Sequence, residues 1–286
     1  MTSDRPTGNE HVTLLISPFD EPVVTALLHP LLVRLLAGGV EPVVRVGRGA
    51  PARDEASGTL SGIVVARVPD SRGGGEPIPD AAPRGALTLV VPSPSAQQPA
   101  FTHLGPDDAA GATAVVRHLA ELGHRRFGYV SGPTQRLAHG VRAETFARVA
   151  ADLVPDAPPV DVVVTQATLE DGVRAGLRLV AAGCTAVVAD SDLLALGVVA
   201  AARDSGLTVP RDLSVIGNGD TVFVAQSDPP LTTVRHPFSR LVRTAVDLVV
   251  AARDDGIGDG AIDELLFRPE LIIRRSSGAA PTGVVA

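Results

Sequence analysis

Polar side chains able to grip a small molecule fall directly after short apolar runs in four places. Ser17, Phe19 and Asp20 follow the run 12–16, and Ser131 and Gly132 follow 126–130 and lead to Arg142. Asp190, Ser191 and Asp192 follow 185–189, and Asn218, Gly219 and Asp220 follow 213–216. If each run is a strand of a parallel sheet, these residues gather beyond its carboxyl ends, where open α/β sheets bind ligands. Arg142 would bring a rigid fork of N–H donors suited to a hydroxyl pair, a carboxylate or a phosphate. Its plainer use is a helix-surface ion pair with Glu144. Asp192 could accept hydrogen bonds from a ligand or cap a helix, and Asp220 could reach a ligand or fold its own turn. Phe19 and Phe223 offer faces on which a ring could stack, although a Phe near a strand end also serves a core. The candidate ligand-binding set is Ser17, Phe19, Asp20, Arg142, Ser191, Asp192, Asn218, Asp220 and Phe223.

Catalytic constellations are scarce. The chain has no Gly-x-Ser-x-Gly elbow, no phosphate-loop glycine pattern and no zinc-type histidine pair on one helix. His103, His139 and His236 could act as acid–base groups, but no nucleophile or metal partner stands near them in the sequence. Asp107-Asp108 and Asp254-Asp255 diverge on a helix and make poor acid–base dyads. Neither a metal nor a cofactor is expected.

Composition narrows the classes further. The chain has 286 residues, 45% of them hydrophobic but only 3% aromatic, so its core must be built from Val, Leu, Ala and Ile. A formal charge of −7 works against nucleic acid, because phosphate binding needs clustered Lys and Arg. Arg125-Arg126 and Arg274-Arg275 read as solvated strand ends. The single cysteine, Cys184, permits no intrachain disulfide and reads as a small buried hydrophobe. No apolar run approaches the ~20 residues of a membrane helix, so a cytoplasmic protein without a membrane partner is expected.

The elements that must position these residues alternate short β-branched runs with helical patterns, which argues for an α/β fold of βαβ units on parallel sheets. Strands are expected at 12–16, 42–46, 63–65, 87–91, 126–130, 162–164, 185–189, 213–216, 232–234, 265–267 and 271–273. Helices are expected from Pro22 to Gly38, and at 107–122, 140–153, 169–182, 193–204 and 238–253. Residues 47–58 carry no convincing helix, so the regular βαβ pattern should fail there. Residues 71–83 are Gly/Pro-rich and read as a loop.

Five segments together resemble the effector-binding domain of the LacI/GalR family of bacterial repressors. They are 107–124, ending Arg117-His118-Leu119-Ala120-Glu121-Leu122-Gly123-His124; Gly132 with Arg142; 191–197; Asp212 to Gly217; and Pro230 to Arg235. The resemblance implies a periplasmic-binding-protein-like fold of type I: two Rossmann-like lobes joined by three crossovers, with the ligand in the cleft between them. On it, 11–124 with 236–260 form the first lobe and 125–235 with 261–276 the second. Residues 1–10 and 277–286 are expected as disordered tails. Arg142 stands where the family commonly places an effector-binding arginine, and Asp192 where it has an aspartate at a helix start. His124 belongs to a structural turn, and His118 is expected to face solvent.

There are departures. Ser191 stands where an Asn is usual, and Gly219 replaces a carboxylate that grips a sugar hydroxyl. With no Trp and one Tyr, stacking platforms for a simple sugar are few, which favours a carboxylated or more apolar metabolite. The family also carries a helix-turn-helix headpiece, and only ten polar residues precede His11 here. The expected function is thus a small-molecule sensor of transcription-regulator type with no DNA binding by this chain alone. It would act as a homodimer, or as a heterodimer with a headpiece-bearing relative, using the stripe Leu241, Ala245, Leu248 and Val249 or leaving that stripe in the lobe core. The alternative is an enzyme or biosynthetic accessory protein using the same cleft.

Overall fold

The structure, a computed structural model, describes residues 11–16, 22–39, 41–46, 62–68, 87–90, 102–132, 137–255 and 264–282. The chain divides into two compact units, Met1–Gly105 with Phe238–Phe267 and Pro106–Pro237 with Arg268–Ala286, so it passes from one to the other three times.

The first unit holds strands β1 (His11–Ile16), β2 (Glu41–Val46), β3 (Gly62–Val68), β4 (Leu87–Val90) and β5 (Thr102–Pro106). Helix α1 (Pro22–Ala37) lies between β1 and β2 in the chain. Its sheet is mixed: β2 runs parallel to β1 and β5 to β4, whereas β3 is antiparallel to both β1 and β4. That reversal falls where the sequence loses its βαβ regularity. Strand β5, which its sequence does not announce, carries Leu104 into the core.

The second unit begins with α2 (Asp108–Glu121), β6 (Phe127–Ser131), α3 (Leu137–Leu153), β7 (Asp161–Val164) and α4 (Leu169–Ala181). It continues through β8 (Ala186–Ala189), α5 (Asp192–Asp204), β9 (Ser214–Asn218) and β10 (Thr232–Arg235). Helix α6 (Phe238–Asp255) and β11 (Glu264–Phe267) then return to the first unit, and β12 (Glu270–Ile272) closes the second. Strands β7, β6, β8, β9 and β10 are parallel, and β12 is antiparallel at the edge.

In the first unit, Leu27, Leu31 and Leu35 recur at helical spacing along α1 and pack against Leu241, Val242, Ala245 and Val246 of α6. Leu241 and Ala245 are therefore core residues rather than a stripe offered to a second chain, because the apolar face of α6 is consumed by α1. Leu248 packs at the edge of the same cluster, and the side chain of Val249 lies outside the described residues.

The second sheet is buried on both faces, and side chains alternate between them with the two-residue period of a strand. Phe127, Tyr129, Ala186, Val188, Ile216 and Val234 face α2 and α3. Val130, Val187, Ala189 and Val215 face α4 and α5, with Cys184 buried on that side. Helices α4 and α5 cross at glycines: a Cβ on Gly197 would stand 2.7 Å from the Gly172 backbone, and one on Gly172 would stand 2.5 Å from the Leu194 carbonyl oxygen.

Three assignments from the sequence are corrected. Helix α2 belongs to the second unit, because Val115, Val116 and Leu119 pack with Phe146 and Val149 of α3. Strand β11 belongs to the first unit, where it is the edge of the sheet. Residues 277–282 of the expected C-terminal tail are docked: the Ala280 amide donates to Leu122 O at 2.8 Å and the Gly278 amide to Ser214 Oγ at 3.0 Å. Buried His124 anchors that segment, its Nε2 lying 2.9 Å from Ser214 Oγ and 3.1 Å from Gly278 O, and its Nδ1 3.0 Å from Thr185 Oγ1. Nor does His118 simply face water, since its Nε2 lies 2.9 Å from Ser277 Oγ.

Candidate ligand pocket in the second unit

Continuing the strand alternation by one step defines the site. On the face covered by α2 and α3, Ala186 and Val188 are followed by Asp190, Ile216 by Asn218, Val234 by His236, and Tyr129 by Ser131. Each of these polar residues lies at or just beyond the carboxyl end of its strand. Asn218 and His236 among them line a depression of about 410 Å³, solvent at its mouth included, bounded by residues of the second unit alone. Its polar lining is Asp108, Tyr129, Arg142, Asn218 and His236, and its apolar walls include Val115, Phe146, Val188 and Val234.

Asp190 is the electrostatic centre. Its side chain has no exposed surface and pairs with Arg142, Oδ1 lying 3.2 Å from Nε. The Tyr129 hydroxyl donates to the same oxygen at 2.9 Å, while the Gly132 amide at 3.1 Å and the Ser131 hydroxyl at 3.4 Å donate to Oδ2. A buried carboxylate held by this many donors is fixed in place. Burial, followed by the neighbouring Asp190 charge, raises the Tyr129 phenol well above its ordinary value, so it remains a donor. The Tyr129 ring leans on Phe146, centroids 5.1 Å apart.

His236 Nε2 lies 2.6 Å from Asn218 Oδ1. Burial, then the Arg142 charge, pushes this imidazole down to about 3, so at neutral pH it is uncharged and Nε2–H donates to the Asn218 oxygen. At the start of α2, Asp107 and Asp108 part company. Asp107 caps the helix by accepting from the Ala110 amide at 2.8 Å, whereas Asp108 lines the pocket. Burial raises the Asp108 carboxyl to about 6, against an opposing pull from Arg142.

Of the residues singled out from sequence, Arg142 and Asn218 line this pocket together. Arg142 pairs with Asp190 across the sheet end rather than with Glu144 on its own helix. Ser191 is the N-cap of α5, accepting from the Leu194 amide at 3.3 Å. Asp192 is buried and binds Thr221 and Thr233. Asp220, in the left-handed region at φ 51°, accepts from Arg235 Nε and Arg274 Nη2, each at 2.6 Å. Burial opposes its charge, but those two guanidiniums outweigh it and hold the carboxyl below its ordinary value. Arg274 is accordingly a mostly buried partner and not a solvated strand end. Phe223 is half-exposed and is not among the lining residues. Ser17, Phe19 and Asp20 lie outside the described residues, as do the side chains of His103 and His139.

Sequence reasoning passed over Asp108 and Tyr129 as ligand residues. It named Asp190 and His236 without choosing them for the site. The signal for Tyr129, Asp190 and His236 was the alternation within each strand, which puts them on the same face as Asn218. For Asp108 no such signal exists, since only the phase of α2 separates it from Asp107.

An open parallel sheet with a polar pocket at its strand ends, paired in the chain with a second α/β unit through three crossings, defines a binding protein. A family model described as a periplasmic binding protein-like domain matches residues 116–277. The chain is 41% identical over 179 residues to an uncharacterized HTH-type transcriptional regulator of Streptomyces limosus, covering 61% of this chain and 50% of that one. It is 40% identical over 182 residues to the HTH-type transcriptional regulator MalR of Streptomyces coelicolor, covering 62% and 52%. Among solved structures, the Lac repressor dimer bound to operator and the anti-inducer ONPF shares the fold, with a TM-score of 0.70 at 21% identity over 93% of each chain. This chain belongs to the periplasmic binding protein-like domain family, and its fold is that of the Lac repressor. It spans about half the length of the curated relatives it matches.

Proposed function

We propose that this chain senses a small-molecule effector through the pocket of its second unit and passes the binding event to a DNA-binding module, as a cytoplasmic homodimer. One observation carries the reading. Five side chains, Asp108, Tyr129, Arg142 and Asn218 from four elements and His236 from just beyond β10, converge on one depression at the carboxyl ends of parallel strands. This is the place where such sheets take ligands. The HTH-type naming of the Streptomyces relatives and the dimeric, anti-inducer-bound Lac repressor support the assignment of role. Binding would act by preferring one pre-existing arrangement of the protein over another. Among the described residues no helix is long and apolar enough to cross a membrane.

Native mass spectrometry of the freshly purified chain tests this reading. A dimer that carries a small molecule, released on denaturation, is the expected result. A bare monomer that also shows no thermal shift across a metabolite set would overturn it.

A further inference from the structure

Building on the effector pocket just proposed, we infer that its ligand is an organic cation: a compact apolar body bearing an amine or amidine, its charged nitrogen seated against the carboxylate of Asp108.

The charge inventory of the pocket leads there. Arg142 is its cation, and that charge is answered within the protein by Asp190, whose side chain has no exposed surface. Tyr129, Ser131 and Gly132 fix Asp190 from its other sides. An effector carboxylate would have to compete with this built-in one. The imidazole of His236 is neutral and occupied with Asn218. The positive end of α2, which would otherwise draw an anion, is already met by the Asp107 cap. What remains is Asp108, a half-buried carboxylate that lines the depression and makes no hydrogen bond among the described residues. Among the described residues at the depression, Arg142 is thus answered by Asp190, and the Asp108 carboxylate stands without a paired cation.

A carboxylate partly withdrawn from water and given no protein donor is unfavourable, and a ligand ammonium supplies both the charge and the donors. The remaining walls, Val115, Phe146, Val188 and Val234, match an apolar body. Between the two metabolite types raised by the sequence, carboxylated or apolar, the charge balance disfavours the first and adds a cationic nitrogen to the second.

Benzylamine, benzyl alcohol and benzoate share one ring and differ in charge, so titrating the full chain with each by calorimetry at pH 7.5 tests the inference. Benzylamine is expected to bind with a Kd on the order of 1 mM, ordinary for so small a probe. It should bind about tenfold more tightly than benzyl alcohol, with benzoate weakest. In Asp108→Asn the benzylamine advantage should vanish while benzyl alcohol binds as before. Should that variant fold poorly, the wild type at about pH 5 serves instead, because Asp108 is then protonated and benzylamine still charged.

Benzoate binding as tightly as benzylamine overturns the inference and leaves the effector pocket standing. So does a benzylamine advantage that survives both the substitution and the acid. Failure of all three probes against a chain shown to be folded by circular dichroism overturns the pocket and the inference together.

Discussion

Asp192 Oδ1 accepts the Thr233 hydroxyl at 2.6 Å, clamping the first turn of α5 to strand β10. Its other oxygen takes the Thr221 amide at 2.7 Å and the Thr221 hydroxyl at 2.9 Å. This carboxylate therefore folds the turn after β9 from beneath, and its acceptor capacity is spent within the protein rather than on the pocket.

Asp192→Ala leaves the Thr233 hydroxyl and the Thr221 amide without their acceptor. Unsatisfied groups cost about 1–3 kcal/mol each, so chemical denaturation should show a loss of roughly 2–4 kcal/mol. Wild-type stability in this variant would show that the clamp is dispensable.

Arg142→Ala strips a buried carboxylate of its cation, which costs about 3–5 kcal/mol when a pair is fully buried. Arg142 is 13% exposed and Asp190 keeps three other donors, so about 2–3 kcal/mol is expected in urea denaturation. Adding Asp190→Asn removes the orphaned charge and should recover part of that loss. A double variant less stable than the single one would contradict the pairing.

Two groups in the pocket work against each other in acid. The folded-state value of Asp108 is raised to about 6, so the folded protein binds the extra proton between about pH 4 and 6, and this group makes stability rise as pH falls through that window. His236 is lowered to about 3. There the unfolded chain takes the proton first, and stability falls as pH drops below about 6.5. Asp108→Asn removes the compensating contribution, so the variant should lose stability more steeply than wild type between pH 6 and 4. Parallel denaturation midpoints across that window would show that Asp108 titrates normally.

Gly197→Ala tests the crossing of α4 and α5. The new methyl carbon would stand 2.7 Å from the Gly172 backbone, and neither helix can yield without moving the apolar cluster around Leu194 and Val198. Overpacking of this kind costs about 1–3 kcal/mol or more, and a drop in Tm of several degrees is the expected reading. An unchanged Tm would mean that the helices separate freely.

Much of this was written in the chain. Apolar runs of strand length, apolar residues at helical spacing, and the turn glycines placed every strand and helix of the second unit to within a few residues. They did so because backbone periodicity and capping are local properties. Strand-end placement likewise brought Arg142 and Asn218 to one pocket. What the sequence left open depended on contacts between distant segments. It could not say that Arg142 answers Asp190 instead of Glu144, or that Asp192 spends its oxygens on Thr221 and Thr233. Nor could it say that α2 packs on α3 in the second unit. Asp107 and Asp108 mark the boundary most plainly: adjacent and identical in type, one caps a helix and the other faces the pocket. A helix turns about 100° per residue, and only the packing of α2 against the sheet fixes where that turn points.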